Sequence, residues 1–325
     1  MKFTSLLTLL AAVFFCTFSS QRAAADTFGS AANTFDIEFV TIGNPGNAAD
    51  TTGNPNPAGS VPYTYRMGKF EISEQMIDKA NTLGSLGITK DTRGPDKPAT
   101  RISWNEAARF INWLNTSVGS TPAYKFALQP GDVGYSANTQ IQLWTISDAG
   151  YNPNNLYRNS RAKYFLPSMD EWYKSAYYDP TGGVYYDYPT GSNSEPDGID
   201  FAGDPNFAAV FNQATGNPQP NDITDVGVTS PYGTAGQGGN VSEWEETDFD
   251  LLNGPVPSSS GRWFRGGSWG SPGASNLRAN ALILTGGTPS GEVNNLGFRV
   301  ASIPEPSTLL LLGLGALLLG PRSRH

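Results

Sequence analysis

The chain has 325 residues, a formal net charge of −8 and only 15% charged residues, with one cysteine and one histidine. Cys16 and His325 lie in terminal segments that we expect processing to remove. A mature domain without them excludes a thiol nucleophile, a Ser-His-Asp triad, disulfides, and zinc or iron sites built on His or Cys. The acidic balance also argues against nucleic acid as a partner, because its recognition needs a basic surface.

The N-terminus has the layout of a secretory signal peptide. Lys2 gives a basic start, residues 6–18 are almost wholly apolar, and three alanines ending at Ala25 precede Asp26. This order of parts is typical of an export signal, and the apolar run is too short to span a bilayer. We predict a signal peptide over residues 1–25, cut by signal peptidase after Ala25. The alternative is a buried N-terminal helix.

The first part of the mature chain predicts two strands. Residues 26–34 are small and polar, and we expect a disordered lead there. Residues 35–42 alternate apolar and polar side chains, which predicts a strand with one buried face. Residues 44–59 are rich in Gly, Pro, Asn and Thr and predict a loop, and residues 63–72 alternate again and predict a second strand.

Three short helices are predicted next. Ser73 can cap a helix whose apolar positions are Met76, Ile77 and Ala80, with Gly84 beyond its end.

Two capping boxes mark the other two helix starts. Ser103 with Glu106 and Ser168 with Glu171 have the Ser-x-x-Glu spacing that satisfies free amides at a helix N-terminus. The first of these helices has the i, i+3, i+4, i+7 apolar pattern of one buried face, at Ala107, Phe110, Ile111 and Leu114. From residue 182 onward this periodicity is absent, and Gly, Asn, Pro and Asp recur. The pattern predicts one α+β domain with high loop content.

An acidic segment stands out in the second half of the chain. It contains Glu245, Glu246, Asp248 and Asp250. Such a run can form an acid/base cluster, but more often it is a solvated edge. We expect the solvated edge.

The C-terminus has three parts in a fixed order. Pro304-Glu305-Pro306 is followed by an apolar run at residues 309–320 and then by Arg322 and Arg324. The run is shorter than the ~20 residues that a transmembrane helix needs. This order resembles the bacterial PEP-CTERM sorting signal, which an exosortase in the membrane cuts near the Pro-Glu-Pro triplet.

The resemblance implies a sorting segment over residues 304–325 that contacts the membrane. The alternative is an anchor that stays attached. Removing both ends takes away four basic residues and one acidic residue, so the net charge of the mature domain is −11. We expect an exported protein of the cell envelope or extracellular matrix, or one anchored in the membrane and facing outside.

Five segments, taken in order, resemble the formylglycine-generating enzyme or sulfatase-modifying factor family. They are KFEIS at residues 69–73, PATRISW at 98–104, FLPSMDEW at 165–172, SPYG and GNVSEW within 230–244, and RGGSW at 265–269 with LGFRV at 296–300. The resemblance implies a single domain over residues 35–301 with an α+β fold related to C-type lectins. It also favours core positions for Trp104, Trp172, Trp244 and Trp269.

The resemblance breaks at the catalytic positions. Enzymes of this family oxidise a sulfatase cysteine with a copper ion held by two of their own cysteines, shortly after the RGGSW segment. The corresponding positions here are Ser271 and Asn276. Because Cu(I) prefers soft thiolate ligands, we expect no copper and no formylglycine-generating activity. The iron-dependent sulfoxide synthases of the same superfamily bind their metal through histidine, which the mature chain lacks.

Calcium is the remaining metal that the resemblance implies. The family binds a structural Ca²⁺ through the segment that here supplies the Gly239 and Val241 carbonyls and the Glu243 carboxylate. A further side-chain ligand of the family falls on Gly236, which has no side chain. A looser second site would draw on residues 206 and 222. Oxygen ligands suit Ca²⁺, so Ca²⁺ is a candidate cofactor.

Two functional hypotheses follow. The first is a non-catalytic binding or structural module whose ligand, a glycan or a cell-surface protein, contacts the small polar segment after the RGGSW motif. The candidate contacts are Trp263, Trp269, Asn276, Arg278 and Asn280. The alternative is an enzyme of the superfamily with a Cys/His-independent site, which would need a pair of facing carboxylates.

Overall fold

The computed structural model describes residues 24–211, 219–251, 260–281 and 287–304. The helices in these ranges are α1 Glu74–Gly84, α2 Trp104–Ser117 and α3 Met169–Tyr177, with short 3₁₀ helices at Ala31–Asn33 and Ala274–Leu277. The strands are β1 Ala24–Phe28, β2 Phe35–Ile42, β3 Tyr65–Gly68, β4 Tyr164–Phe165, β5 Tyr178–Asp179, β6 Val184–Tyr185, β7 Ser242–Asp248, β8 Arg262–Arg265, β9 Leu296–Gly297 and β10 Ala301–Ser302.

The strands form two sheets and a hairpin. The larger sheet has the antiparallel order β1-β2-β3-β10-β4, so a strand near each end of the domain belongs to it. The smaller sheet has the order β8-β7-β9, in which β7 pairs antiparallel with β8 and parallel with β9. β5 and β6 form the hairpin. The predicted α+β class with high loop content is confirmed.

The prediction of a strand at residues 35–42 is confirmed in full. β2 buries Phe35, Ile37, Phe39 and Ile42 and exposes the polar residues between the first three of them. The second predicted strand is shorter than its sequence pattern. It ends at Gly68, and the following residues bond to the segment before β10, where Ile72 N donates to Phe298 O.

The prediction of a disordered lead at residues 26–34 is wrong. β1 pairs along its whole length with β2. Asp26 accepts two hydrogen bonds from the Arg66 guanidinium, at 3.0 and 2.6 Å, and one from the Tyr164 hydroxyl at 2.7 Å. Arg66 Nε also donates to Ser302 Oγ, so one arginine links the first and last strands of the domain. Composition alone could not show these long-range partners.

Both predicted capping boxes are confirmed. At Ser103 and Ser168 the side chain accepts from the backbone of the Glu three residues later, and that Glu side chain accepts from the serine amide. Ser73 precedes α1 but makes no side-chain cap, and its buried hydroxyl has no hydrogen-bond partner. The end of α1 also differs from its prediction, because Gly84 is the last helical residue and Ser85 takes the left-handed conformation, with φ 50°.

The caps provide a matched pair of variants. Ser103→Ala removes the acceptor for the Glu106 amide and is expected to lower the free energy of unfolding by about 1 kcal/mol. Ser73→Ala removes a hydroxyl without a partner and should leave stability unchanged or slightly raised. Urea unfolding of both variants measures the difference. Equal losses in the two variants would contradict the assignment of the caps.

β7 is the strand on which the tryptophans converge. Trp104, Trp172 and Trp244 are fully buried, as predicted, whereas Trp269, the fourth predicted core tryptophan, is only partly buried. Trp104 Nε1 donates to Glu245 O at 2.9 Å, and Trp172 Nε1 donates to the Glu243 carboxylate at 2.6 Å. The three rings thus pack against or belong to one strand, which holds the loop-rich half of the domain together.

The acidic segment is not the solvated edge that we predicted. Glu245 and Glu246 are fully buried and Asp248 is almost so, and only Asp250 is exposed. Each buried carboxylate lies beside an arginine: Glu245 with Arg265, Glu246 with Arg158, and Asp248 with Arg262. These arginines offset part of the cost of burying the acidic groups, because an acidic side chain enters a core at acceptable cost only when it is paired or stays protonated.

Candidate ligand-binding site

The candidate site lies where β8 ends and the RGGSW segment begins. Gly266 and Gly267 have φ values of 98° and 71°, which favour glycine. A Cβ atom on Gly266 would lie 2.8 Å from Gln237 O and 3.2 Å from the Trp172 ring. The two glycines therefore let the backbone pass close to the buried Trp172 ring. The polar segment that follows them reaches the cavity described next.

This polar segment forms one wall of a cavity of about 390 Å³. Its lining consists of Ser242, Phe264, Arg265, Gly267, Ser275, Asn276, Arg278, Asn280 and Ala281. The lining offers hydroxyl, amide and guanidinium groups, and it has no Asp or Glu among the residues that the structure describes. Such a surface can hydrogen-bond oxygen-rich ligands but holds no carboxylate to act as a general base.

The two arginines of the cavity are held differently. Arg265 is buried: it donates to Asn54 O, and its guanidinium lies 5.2 Å from the Tyr173 ring. Arg278 is about 40% exposed and pairs with the equally exposed Asp187 at 3.1 Å. Arg265 is thus a fixed part of the floor, whereas Arg278 can exchange its partner for a ligand at little cost.

A buried carboxylate lies next to the cavity floor. Arg265 Nε lies 3.1 Å from Glu245 Oε1, but the N–H is not directed at that oxygen. Burial therefore outweighs the attraction and raises the pKa of Glu245 to about 8.

Three of the five predicted contacts meet in the cavity. Asn276, Arg278 and Asn280 all line it. Trp263 does not, because it stacks on Phe249 with ring centroids 5.3 Å apart and is 94% buried. Trp269 packs instead against a separate apolar cluster, and the Arg93 guanidinium lies 6.0 Å from its ring.

Ser242, Arg265 and Ser275 also line the cavity, although the sequence did not point to them as ligand contacts. Two of them had a usable signal. Ser242 lies within the GNVSEW segment and Arg265 begins the RGGSW segment, and neighbouring strands β7 and β8 carry these two segments side by side.

The positions of the family's copper ligands come together in this structure. A Cβ atom on Gly267 would lie 3.2 Å from Ser271 Oγ and 3.3 Å from Asn276 Cβ, so the two side chains flank the same glycine. Ser271 Oγ accepts from the Ser268 amide at 3.0 Å. A hydroxyl and an amide are hard, neutral ligands, so this pair does not fit a copper ion.

The calcium ligands that the resemblance implies do not fit a cation either. Glu243 is fully buried, and Arg299 donates to both of its carboxylate oxygens, at 2.6 and 2.5 Å. Trp172 donates to one of them as well. The Arg299 guanidinium therefore already occupies the place of a cation beside this carboxylate. The Gly239 and Val241 carbonyls belong to the same segment of the chain. Among the described residues, no group of three or more His, Cys, Asp or Glu is placed to hold a metal ion.

The residues of the looser second site have other partners. Asp222 pairs with Lys97 at 2.9 Å, and the backbone N–H of Asn206 donates to Asp204 Oδ1 at 3.0 Å.

The fold and the cavity define an α+β domain with an RGGSW loop over a buried tryptophan and a polar cavity beside it. The chain belongs to the family of the sulfatase-modifying factor enzyme 1-like domain, which matches residues 40–303. The PEP-CTERM protein-sorting motif matches residues 302–324. No curated protein is similar enough in sequence to match.

Two solved structures support the fold assignment. Variable protein 1 of Treponema denticola is 19% identical, with a TM-score of 0.58, and the match covers 86% of this chain and 99% of that one. CarF is 16% identical, with a TM-score of 0.54, and the match covers 83% of this chain and 99% of that one. The fold is therefore that of formylglycine-generating enzymes, related to C-type lectins.

The sorting motif places the protein among exported proteins of the cell envelope, with an exosortase as its processing partner. Of the processing residues, Ala25 lies in β1 and Pro304 follows β10. Glu305, Pro306 and the signal peptide up to residue 23 lie outside the described residues. No helix in the described ranges is long and apolar enough to cross a membrane, and the apolar run at 309–320 lies beyond them.

Proposed function

We propose that this protein is a non-catalytic binding protein of the cell envelope, and that the cavity beside the RGGSW loop binds a glycan. The observation that carries the proposal is the lining: exposed Ser275, Asn276 and Asn280 and half-exposed Arg278 stand over a buried floor that includes Arg265. Sugar hydroxyls match such donors and acceptors, and a rigid floor lowers the entropic cost of binding.

A concave cavity suits a few sugar units better than the broad flat patch of a protein partner. A stable protein interface buries roughly 800 Å² on each side, well beyond the extent of this cavity. A cell-surface protein as ligand would therefore need contacts far outside the lining.

The enzyme alternative receives less support. Glycoside hydrolysis needs two carboxyl groups roughly 5–9.5 Å apart across the scissile bond. The lining has no carboxylate among its described residues, and the nearby Glu245 lies beneath the floor beside Arg265.

The binding proposal predicts a loss of affinity in a double variant. Arg278→Ala with Asn280→Ala removes two exposed donors of the cavity and should weaken glycan binding about tenfold or more, because each net hydrogen bond contributes about 0.5–1.5 kcal/mol. The affinity is measured by calorimetry with the best glycan from an array. Arg161→Ala with Asn154→Ala alters two exposed residues outside the cavity and is the matched control. Equal affinities in both double variants would contradict the site.

The same proposal covers maturation of the two ends. Signal peptidase would cut after Ala25, within exposed residues of β1, and the membrane segment would be removed near Pro304. Both cuts leave the Arg66 link between Asp26 and Ser302 in place. The mass of the protein isolated from its producing cell tests this, and a mass that includes residues 305–325 would show a retained anchor instead.

A further inference from the structure

A second and larger cleft lies along α2, apart from the RGGSW loop. Its volume is about 550 Å³. Aromatic rings of Trp113, Phe126 and Trp144 line it, together with the cations Arg109 and Lys125. The lining has no Asp or Glu among the described residues, although the chain as a whole is acidic. Lys125 pairs with Asp148, which lies outside the lining, at 2.8 Å, so Arg109 is the cation of this aromatic cleft that no ion pair with a described residue neutralises.

Arg109 is the unusual residue of this cleft. It is 98% buried, and Nη1 donates to Leu128 O at 2.7 Å. Its guanidinium lies 3.5 Å from the centre of the Phe126 ring. Nε and Nη2 are buried without any hydrogen-bond partner.

The other buried arginines show how this fold normally treats such a group. Arg262 and Arg299 each form an ion pair with a buried carboxylate, and Arg265 lies beside the carboxyl group of Glu245. Arg109 forms no ion pair with any described residue. A buried guanidinium without a counter-charge is costly, and its Nε and Nη2 edge is the one that binds a carboxylate through two parallel hydrogen bonds.

We propose that this cleft binds an acidic saccharide, with a uronate carboxylate on the Nε and Nη2 edge of Arg109 and the sugar ring against the indole of Trp144. Trp144 Nε1 donates to Ala123 O at 3.0 Å, which fixes the ring as a flat platform. The apolar face of a sugar packs well on such a ring, and the cleft is large enough for more than one sugar unit.

The carboxylate reaches Arg109 only when a neighbouring side chain moves, since Nε and Nη2 are closed to water in this structure. Gln129 lines the cleft and is exposed. One hydrogen bond of 3.4 Å to Phe126 O holds its side-chain amide, so this side chain can move at little cost.

The test uses calorimetry on the full-length chain in detergent with trigalacturonate and with its trimethyl ester. The acid should bind saturably, and the ester, which lacks the charge, should bind at least about tenfold more weakly. Arg109→Met should weaken binding of the acid by a similar factor, whereas Arg161→Met, at an exposed site outside the cleft, should not.

Arg109→Met is expected to fold, because it removes an unpaired buried charge, and its thermal midpoint should stay unchanged or rise. Should it fail to fold, Trp144→Ala, at a partly exposed ring, takes its place and should weaken binding of the acid at least about tenfold as well. Equal affinity for the acid and the ester would overturn the proposal. So would the absence of saturable binding at millimolar acid, or full affinity in the folded variant.

Discussion

Replacing Arg299 with methionine is expected to lower the free energy of unfolding by about 3–5 kcal/mol, the usual cost of leaving a buried charge without its partner. Arg299 is fully buried and donates to Glu243 and to the carbonyls of Gly68 and Ala235. It also lowers the pKa of nearby Glu71, which burial raises to about 8. Without the guanidinium, the buried Glu243 carboxylate has no counter-charge and lies near the Glu71 carboxyl group. Urea unfolding at neutral pH measures the loss.

A matched arginine shows whether burial is the cause. Arg278→Met breaks an ion pair with Asp187 that is about 40% exposed on both sides, and it should cost less than about 1 kcal/mol. Adding Glu243→Gln to Arg299→Met should restore part of the loss, because it removes the buried charge that has lost its partner. A loss below 1 kcal/mol for Arg299→Met alone would show that this buried pair does not stabilise the fold.

The stability of the protein is expected to fall as the pH rises from about 4.5 to about 8. Burial raises the pKa of Glu245 from its ordinary 4.5 to about 8, so over this range the folded chain holds a proton that the unfolded chain has lost. Because the folded state then binds more protons, each pH unit favours unfolding further. The contribution of Glu245 is fully present below pH 4.5 and is lost near pH 8, with a total of about 5 kcal/mol.

Glu245→Gln isolates this contribution from the other titrating groups. Thermal or urea unfolding between pH 4.5 and 9 should show a weaker fall in the variant than in the natural protein. Glu195→Gln, at an exposed side chain, should follow the natural protein throughout. If the Glu245→Gln and natural curves stay parallel over this range, the carboxyl group is charged in both states and the explanation is incorrect.

The features that sequence predicted well are local ones. The capping boxes at Ser103 and Ser168 and the alternation of β2 depend on residues a few positions apart, and the structure confirms all three. The family resemblance added the order of the motifs and hence the fold.

The features that sequence missed depend on distant partners. Glu246 is buried because Arg158, 88 residues earlier in the chain, lies beside it, and β1 is ordered because Arg66 and Tyr164 bind Asp26. Trp263 is an aromatic residue of the type that often contacts ligands, but it stacks on the Phe249 ring. In the sequence, Arg109 is one polar residue of an amphipathic helix. Only the structure shows that its Nε and Nη2 are buried without a hydrogen-bond partner.

The cavity beside the RGGSW loop is proposed to bind a glycan without changing it. This is tested by incubating the full-length chain with glycans selected on an array and then analysing both the bound fraction and the glycan mass. We expect saturable binding that Arg278→Ala with Asn280→Ala weakens, and a glycan recovered intact after long incubation. A glycan that is cleaved or oxidised by the protein, with no loss in the double variant, would contradict this proposal.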